Sequence, residues 1–280
     1  MSLDLTSDTR KPVVALMGEF SAGKTTLANL LIGDRHLPVQ VIATRLPPVW
    51  ICYGDGPGHR VDLDGVSHPV DLQRLDLVPL EDTLYIRIYS QQDILEQCDL
   101  IDMPGISDPN MAADVWQRVI PNADIVLWCT HATQAWRQSE AAVWASMPRA
   151  LYDKSLLLLT RADKLTSARD RARVIKRIRR ETRGLFADVL AISLLEATQN
   201  QQDYDTWSKS GAEDFARRLV EMLHAVAPGT VALPEVPDVP VAPPLPVACV
   251  DETKVSPRRV VARTKSRAPE RRASVSAFGS

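Results

Sequence analysis

The 280-residue chain has little of several things, and each shortage narrows what it can be. Its four cysteines, Cys52, Cys98, Cys129 and Cys249, are far apart and form no Cys-x-x-Cys pair. That spacing argues against a disulfide framework or a zinc ribbon and fits the reduced thiols of a cytosolic protein. No apolar run approaches the roughly 20 residues that span a bilayer. Residues 1–11 are polar and charged, unlike a secretory leader. No internal repeat is visible. Net charge is also scarce, at −2, but the small sum hides an asymmetry. Residues 251–280 hold eight Lys/Arg against three Asp/Glu, whereas the first 250 hold 25 against 32. An acidic body is not a nucleic-acid-binding domain by bulk charge, so contact with a polyanion would fall to the basic tail.

What is present begins with an apolar content of 45%, ample for a core. The segment Gly18-Glu19-Phe20-Ser21-Ala22-Gly23-Lys24-Thr25 fits G-x-x-x-x-G-K-[ST], the phosphate-cradling loop. A short apolar run, residues 13–17, reads as a buried strand feeding the loop. Residues 25–32, stopped by Gly33, read as the helix that follows. Strand, glycine loop and helix together wrap backbone N–H groups around a phosphate at the positive end of a helix. In that arrangement Lys24 reaches the β- and γ-phosphates and the Thr25 hydroxyl ligates Mg²⁺.

Farther along, residues 37–48 read as irregular chain, and 49–53 and 83–89 as strands. Residues 59–66 read as a small hairpin with a glycine turn. The segment from Leu95 to Gly105 reads as a strand ending in Asp102-Met103-Pro104-Gly105. A carboxylate at a strand end beside a phosphate loop is placed to hold Mg²⁺, and the Gly105 N–H to meet a γ-phosphate. A plain turn aspartate before Pro-Gly is the competing reading.

Residues 111–120 and 134–147 read as helices, with Trp136 and Trp144 as packing residues. Residues 123–129 and 156–159 are near-continuous apolar strands, as a parallel sheet buried on both faces requires. The second of these runs into Thr160-Arg161-Ala162-Asp163. A basic amphipathic helix follows over about 167–186, its charges a solvated face. Residues 189–193 read as a strand and 212–226 as a last amphipathic helix. From residue 228 proline and then Lys/Arg/Ser dominate, a composition that buries too little apolar surface to offset ordering entropy. The expectation is an α/β domain at 11–226, a doubly wound, mostly parallel sheet flanked by helices. A disordered Pro-rich, then basic, tail at 227–280 completes the chain.

In their order, Gly18–Thr25, Thr44, Asp102–Gly105, Thr160–Asp163 and Ser193 make the chain resemble the GTPase domain of dynamin-like proteins. The resemblance covers about residues 11–226, and no long helical stalk segment follows. It implies a Mg²⁺-dependent switch that binds GTP and GDP and hydrolyses GTP. By resemblance, Gly18, Glu19, Phe20, Ser21, Ala22, Gly23, Lys24, Thr25, Thr26, Gly105, Thr160, Arg161, Asp163 and Ser193 bind the nucleotide. Thr25, Thr44 and Asp102 hold the metal, Thr44 from a loop that closes on the γ-phosphate. Lys24, Ser21 and Thr44 serve the reaction. Asp163 accepts from guanine N–H groups, with Arg161 where the family usually has lysine; a helix-capping Asp163 is the alternative. Phe20 stands where dynamins proper place a glutamine that orients water, which implies slow turnover raised by a partner.

The implied partners are the guanine nucleotide, a second GTPase domain (the same chain or a related one), and anionic membrane lipid reached by the tail. The implied location is cytoplasmic, peripheral to a membrane. A ribosome- or RNA-associated GTPase of the Era-like kind, a GTP-binding module with negligible hydrolysis, and an ATPase or kinase on the same loop stay open.

Overall fold

The computed structural model describes residues 10–33, 46–107 and 115–226. The strands, in chain order with the helices between them, begin with β1 (Val13–Gly18), α1 (Lys24–Ile32), β2 (Val49–Tyr53), β3 (His59–Asp62) and β4 (Ser67–Pro69). Next come β5 (Thr83–Ser90), α2 (Asp93–Gln97), β6 (Asp99–Asp102), α3 (Val115–Val119), β7 (Ile125–His131) and α4 (Gln138–Ala145). The order closes with β8 (Leu156–Thr160), α5 (Ala168–Glu181), β9 (Asp188–Ala191), α6 (Leu194–Gln199), α7 (Tyr204–Lys209) and α8 (Ala212–Val226).

Among the described residues nine strands form one sheet in the order β4-β3-β5-β2-β6-β1-β7-β8-β9. From β6 through β9 every pairing is parallel, as is β2 with β5. The pairings of β2 with β6, of β3 with β5 and of β3 with β4 are antiparallel. This is the mostly parallel, helix-flanked α/β sheet expected for the body of the chain.

Period-two alternation explains why the central strands read as unbroken apolar runs. Val14 and Leu16 of β1 point into a core shared with Leu27, Leu194 and Phe215, while Val13, Ala15 and Met17 point into one shared with Trp128, Trp144 and Ile178. Leu156 and Leu158 join the first core and Leu157 and Leu159 the second, all four fully buried. Each contributes about 1.5–3 kcal/mol relative to exposure, so both faces of the sheet need their helices.

On the second face Trp144 stacks on Phe186 with ring centroids 4.1 Å apart and meets Trp128 edge-on at 5.4 Å. Trp144 and Trp136 therefore pack rather than frame a ligand. Helix α5 is seated by buried Ile178 and half-buried Val174 and Ile175, and Ser167 caps it by accepting from Asp170 N at 3.0 Å. Cys52, Cys98 and Cys129 are buried free thiols, each pushed up to about 12 chiefly by burial. They are poor thiolates and correspondingly inert.

Several local expectations are corrected. The strand expected from Leu95 begins only at Asp99, because residues 93–97 form helix α2, whose first turn Asp93 and Glu96 favour. The expected helix over 134–147 begins only at Gln138, because Trp136 sits at φ 60°, which no helix accommodates. In 111–120, the described part is α3 followed by a short 3-10 turn, Ile120–Asn122, with Pro121 inside it. The tail from residue 227 and Thr44 lie outside the described residues.

Candidate functional site

The phosphate loop sits where β1 hands over to α1, at the C-terminal ends of the central parallel strands. Gly18 is there for want of space: at φ 141° a Cβ would lie 2.1 Å from the Cys129 carbonyl oxygen of the neighbouring β7. Gly23 takes φ 96° to turn into α1, and Ser21 holds φ 59° with a side chain. The last side chain of β8 and the one that follows it fasten the curve. The fully buried Thr160 hydroxyl donates to the Ala22 carbonyl at 2.7 Å and lies 3.1 Å from that of Thr130. Arg161, itself at φ 54°, donates Nη2 to the Ser21 carbonyl at 3.2 Å.

Lys24 is buried, and its ammonium donates to the carbonyls of Gly18 (3.2 Å) and Glu19 (2.9 Å). Beside it the Thr25 hydroxyl donates to Asp102 Oδ2 at 2.8 Å. Asp102 Oδ1 is buried without a hydrogen-bond partner. Burial pushes this carboxyl up to about 6, against the pull of Lys24 and the Thr25 hydroxyl. A buried carboxylate oxygen with an open lone pair, beside a hydroxyl, fits a hard divalent cation that takes oxygen ligands. Among the described residues no cluster of three or more His, Cys, Asp or Glu side chains could hold a metal by itself. Phosphate oxygens and water would have to complete the shell.

These groups open on one cleft of about 550 Å³. Ser21, Lys24, Thr25, Thr26, Asp102 and Gly105 line it together with Thr160, Arg161, Asp163, Lys164, Leu194 and Leu195. Asp163 lies in the 3-10 turn Ala162–Lys164, four residues before the Ser167 cap, so it does not cap α5. Its Oδ1 accepts from the buried Ser193 hydroxyl at 3.2 Å, and Lys164 Nζ is 3.5 Å from Oδ2. The cleft thus offers a buried lysine to phosphates, an open carboxylate oxygen beside it, and a second oriented carboxylate in its lining.

Not every expected residue faces it. Glu19 turns away and pairs with Arg137 at 3.0 Å, accepts from Ser139 Oγ, and meets Ser107 Oγ at 3.4 Å. With Ala22, His131 and Arg161 it lines a smaller cavity of about 200 Å³ behind the loop. Burial, with Arg161 and Arg137 nearby, holds His131 below its usual range. Ser193 backs Asp163 instead of lining the cleft. Phe20, 52% exposed at the mouth, offers its N–H to Ser107 Oγ at 3.2 Å.

Sequence reasoning missed Glu140. This buried carboxylate accepts from Trp128 Nε1 (3.0 Å), Thr130 Oγ1 (2.9 Å) and Arg137 N (2.9 Å), and so ties α4 to β7 behind the loop. Its one local signal is the spacing Arg137-x-x-Glu140, with glutamate at the third helical position but no usual capping residue before it.

The sequence profile of the dynamin family matches residues 14–162. Dynamin-like protein 2 of Campylobacter jejuni is 24% identical over 212 residues, 74% of this chain but 34% of the relative. A probable transmembrane GTPase, FZO-like and chloroplastic, of Arabidopsis thaliana is 26% identical over 178 residues, 62% of this chain and 18% of the relative. The chain therefore spans about a third or less of these relatives' length. A structure of an oligomerised bacterial dynamin pair, described as sensing and tethering membranes, superposes with a TM-score of 0.60. It covers 78% of this chain and 40% of that one at 18% identity, a likeness of fold.

Proposed function

The chain belongs to the dynamin family and carries its GTPase domain, and from that premise we propose that the cleft binds GTP with Mg²⁺ and hydrolyses it to GDP and phosphate. The observation that carries this reading is the meeting in one cleft of Lys24, the Thr25–Asp102 pair and Asp163. Held by Thr25 and Asp102, with Thr44 joining from outside the described residues, Mg²⁺ would neutralise charge on the β- and γ-phosphates. Loop N–H groups and Lys24 bind and orient the phosphates. Asp163, steadied by Ser193, accepts from guanine N–H groups, and the alkyl stem of Arg161 lies beside the base. Phosphoryl transfer depends chiefly on positioning and charge stabilisation, so no covalent nucleophile is required.

Phe20 provides no polar group to orient water, and turnover by the isolated domain is accordingly slow and rises when a second GTPase domain, of the same or a related chain, approaches. Rapid hydrolysis at high dilution, independent of protein concentration, would remove that part. Contact of residues 251–280 with anionic lipid belongs to the same reading, by analogy with the membrane-tethering bacterial pair. Equal co-sedimentation with anionic and neutral vesicles would dismiss it. No helix among the described residues is long and apolar enough to cross a membrane.

The deciding experiment is calorimetry of GTP, GDP and ATP binding, with Mg²⁺, to wild type and Asp163→Ala. Selective guanine binding that collapses in the variant is the expected result. Equal or preferred ATP binding would overturn the assignment.

A further inference from the structure

The two edges of the nine-stranded sheet carry opposite charge. Residues 168–183, which include α5, hold eight Lys/Arg against two Asp/Glu. Residues 54–90, which include β3, β4 and β5, hold seven Asp/Glu against three Lys/Arg. The strand order puts these segments at opposite ends: α5 lies on edge strand β9, where Arg179 Nη2 donates to the Val189 carbonyl at 3.1 Å, and β4 is the other edge. We infer that the basic α5 edge of one molecule docks on the acidic β3–β4–β5 edge of a second copy of this chain, head to tail.

The basic edge is built as a stripe. Residues 169, 173, 176 and 180 follow steps of four, three and four and so share one face of the helix. Ile178, Val174 and Ile175 hold the opposite side against the sheet. The 14 residues of α5 extend the stripe over about 20 Å. Arg169, Lys176, Arg180 and Arg183 are exposed, and none makes an ion pair with a described residue. Among the described residues nothing discharges them.

The occupant follows from charge complementarity. Outside residues 168–183, the first 250 residues hold 17 Lys/Arg against 30 Asp/Glu. A flat anionic surface or a long nucleic acid would attract the stripe and meet that acidic remainder together. A patch of opposite sign avoids the penalty, and the chain owns one: the excess of six charges at α5 faces a deficit of four at residues 54–90. At the acidic edge Asp55, Asp64 and Glu81 are exposed. Nine strands at about 4.8 Å spacing separate the edges by about 38 Å, so one molecule cannot satisfy both itself. Such a contact is heterologous and either closes into a ring or propagates as an open chain. It leaves the nucleotide cleft, at the strand ends, uncovered, and its failure would not touch the GTPase reading.

The test is sedimentation of the full chain at about 50 and 500 mM salt, chosen to bracket screening at physiological ionic strength. Two variants accompany it: Arg169→Glu/Lys176→Glu/Arg180→Glu/Arg183→Glu, and Asp55→Lys/Asp64→Lys/Glu81→Lys. Thermal unfolding and guanine-nucleotide affinity at high dilution report whether each is folded. Wild type is expected to associate reversibly, at least about tenfold more tightly at low salt. Each variant alone stays monomeric where wild type associates, and an equimolar mixture re-associates because the reversed edges now complement each other. Monomeric wild type at low salt, assembly that survives reversal of the stripe, or a silent mixture of folded variants would each overturn the inference. So would a chain that stays monomeric while its stripe binds duplex DNA or anionic vesicles, because the partner would then be another polyanion.

Discussion

Replacing Glu140 by alanine isolates the buried hub behind the phosphate loop. Three donors converge on its carboxylate, and only the Thr130 hydroxyl can rotate to seek another acceptor. The Trp128 indole N–H and the Arg137 backbone N–H are fixed, and each unmet buried donor costs about 1–3 kcal/mol. Release of the carboxylate's own desolvation penalty offsets part of this. The expected net loss is about 3–5 kcal/mol, a fall in Tm of about 10 °C for a domain of this size.

Glu140→Gln keeps the volume and an acceptor oxygen toward Thr130 and Arg137, but turns an amide N–H₂ toward the Trp128 donor. Its loss should be smaller, about 1–2 kcal/mol. Burial raises the Glu140 carboxyl above its usual range, so its contribution is fully present below the unfolded-state pKa and falls as pH rises through the folded one. The alanine variant has no such loss, and the gap between it and wild type should narrow from pH 4 toward pH 7. Urea unfolding across that range reads both effects. A gap under about 1 kcal/mol at pH 5, or one that widens with pH, would refute the account of Glu140 as a desolvated, three-bond hub.

Gly18→Ala puts a Cβ 2.1 Å from the Cys129 carbonyl at a positive φ. The expected cost exceeds about 3 kcal/mol, and a soluble variant with wild-type unfolding and nucleotide affinity would contradict the packing of β1 on β7. Ser193→Ala frees Asp163 Oδ1 and removes the hydroxyl that accepts from Glu196 N at 3.4 Å at the start of α6. It should lower guanine-over-adenine preference about tenfold, about 1.4 kcal/mol, in competition binding; unchanged preference would show that Asp163 is oriented without it.

The parts of this fold legible in the sequence are those whose environment repeats. Leu156 to Leu159 alternate between two apolar cores, so a continuous run announces a strand buried on both faces. The glycines of the loop are legible for the same kind of reason, since local geometry admits nothing larger at Gly18. What stayed hidden depends on partners distant in the chain. Glu19 belongs to the motif by position, yet Arg137 and Ser139, more than a hundred residues on, draw its side chain to the back of the loop. Glu140 looks like any helical glutamate until Trp128 and Thr130 surround it. Trp136 interrupts an otherwise helical composition through a left-handed backbone that propensity does not foresee. The start of α5 is the opposite case. Ser167 with Asp170 three residues on was a readable cap, and it moves the helix origin past Asp163.

The Thr160 hydroxyl, buried at the end of β8, ties the Ala22 carbonyl to the sheet. Its consequence is thermodynamic. The curvature of the loop is fixed by the same cooperative transition that forms the core, so its conformational entropy is spent at folding and not at ligand encounter. Affinity at such a preorganised cradle responds to changes in charge and contact more than to changes in loop flexibility. Thr160→Val, which keeps the shape and deletes the tether, would transfer part of that ordering cost to the binding step.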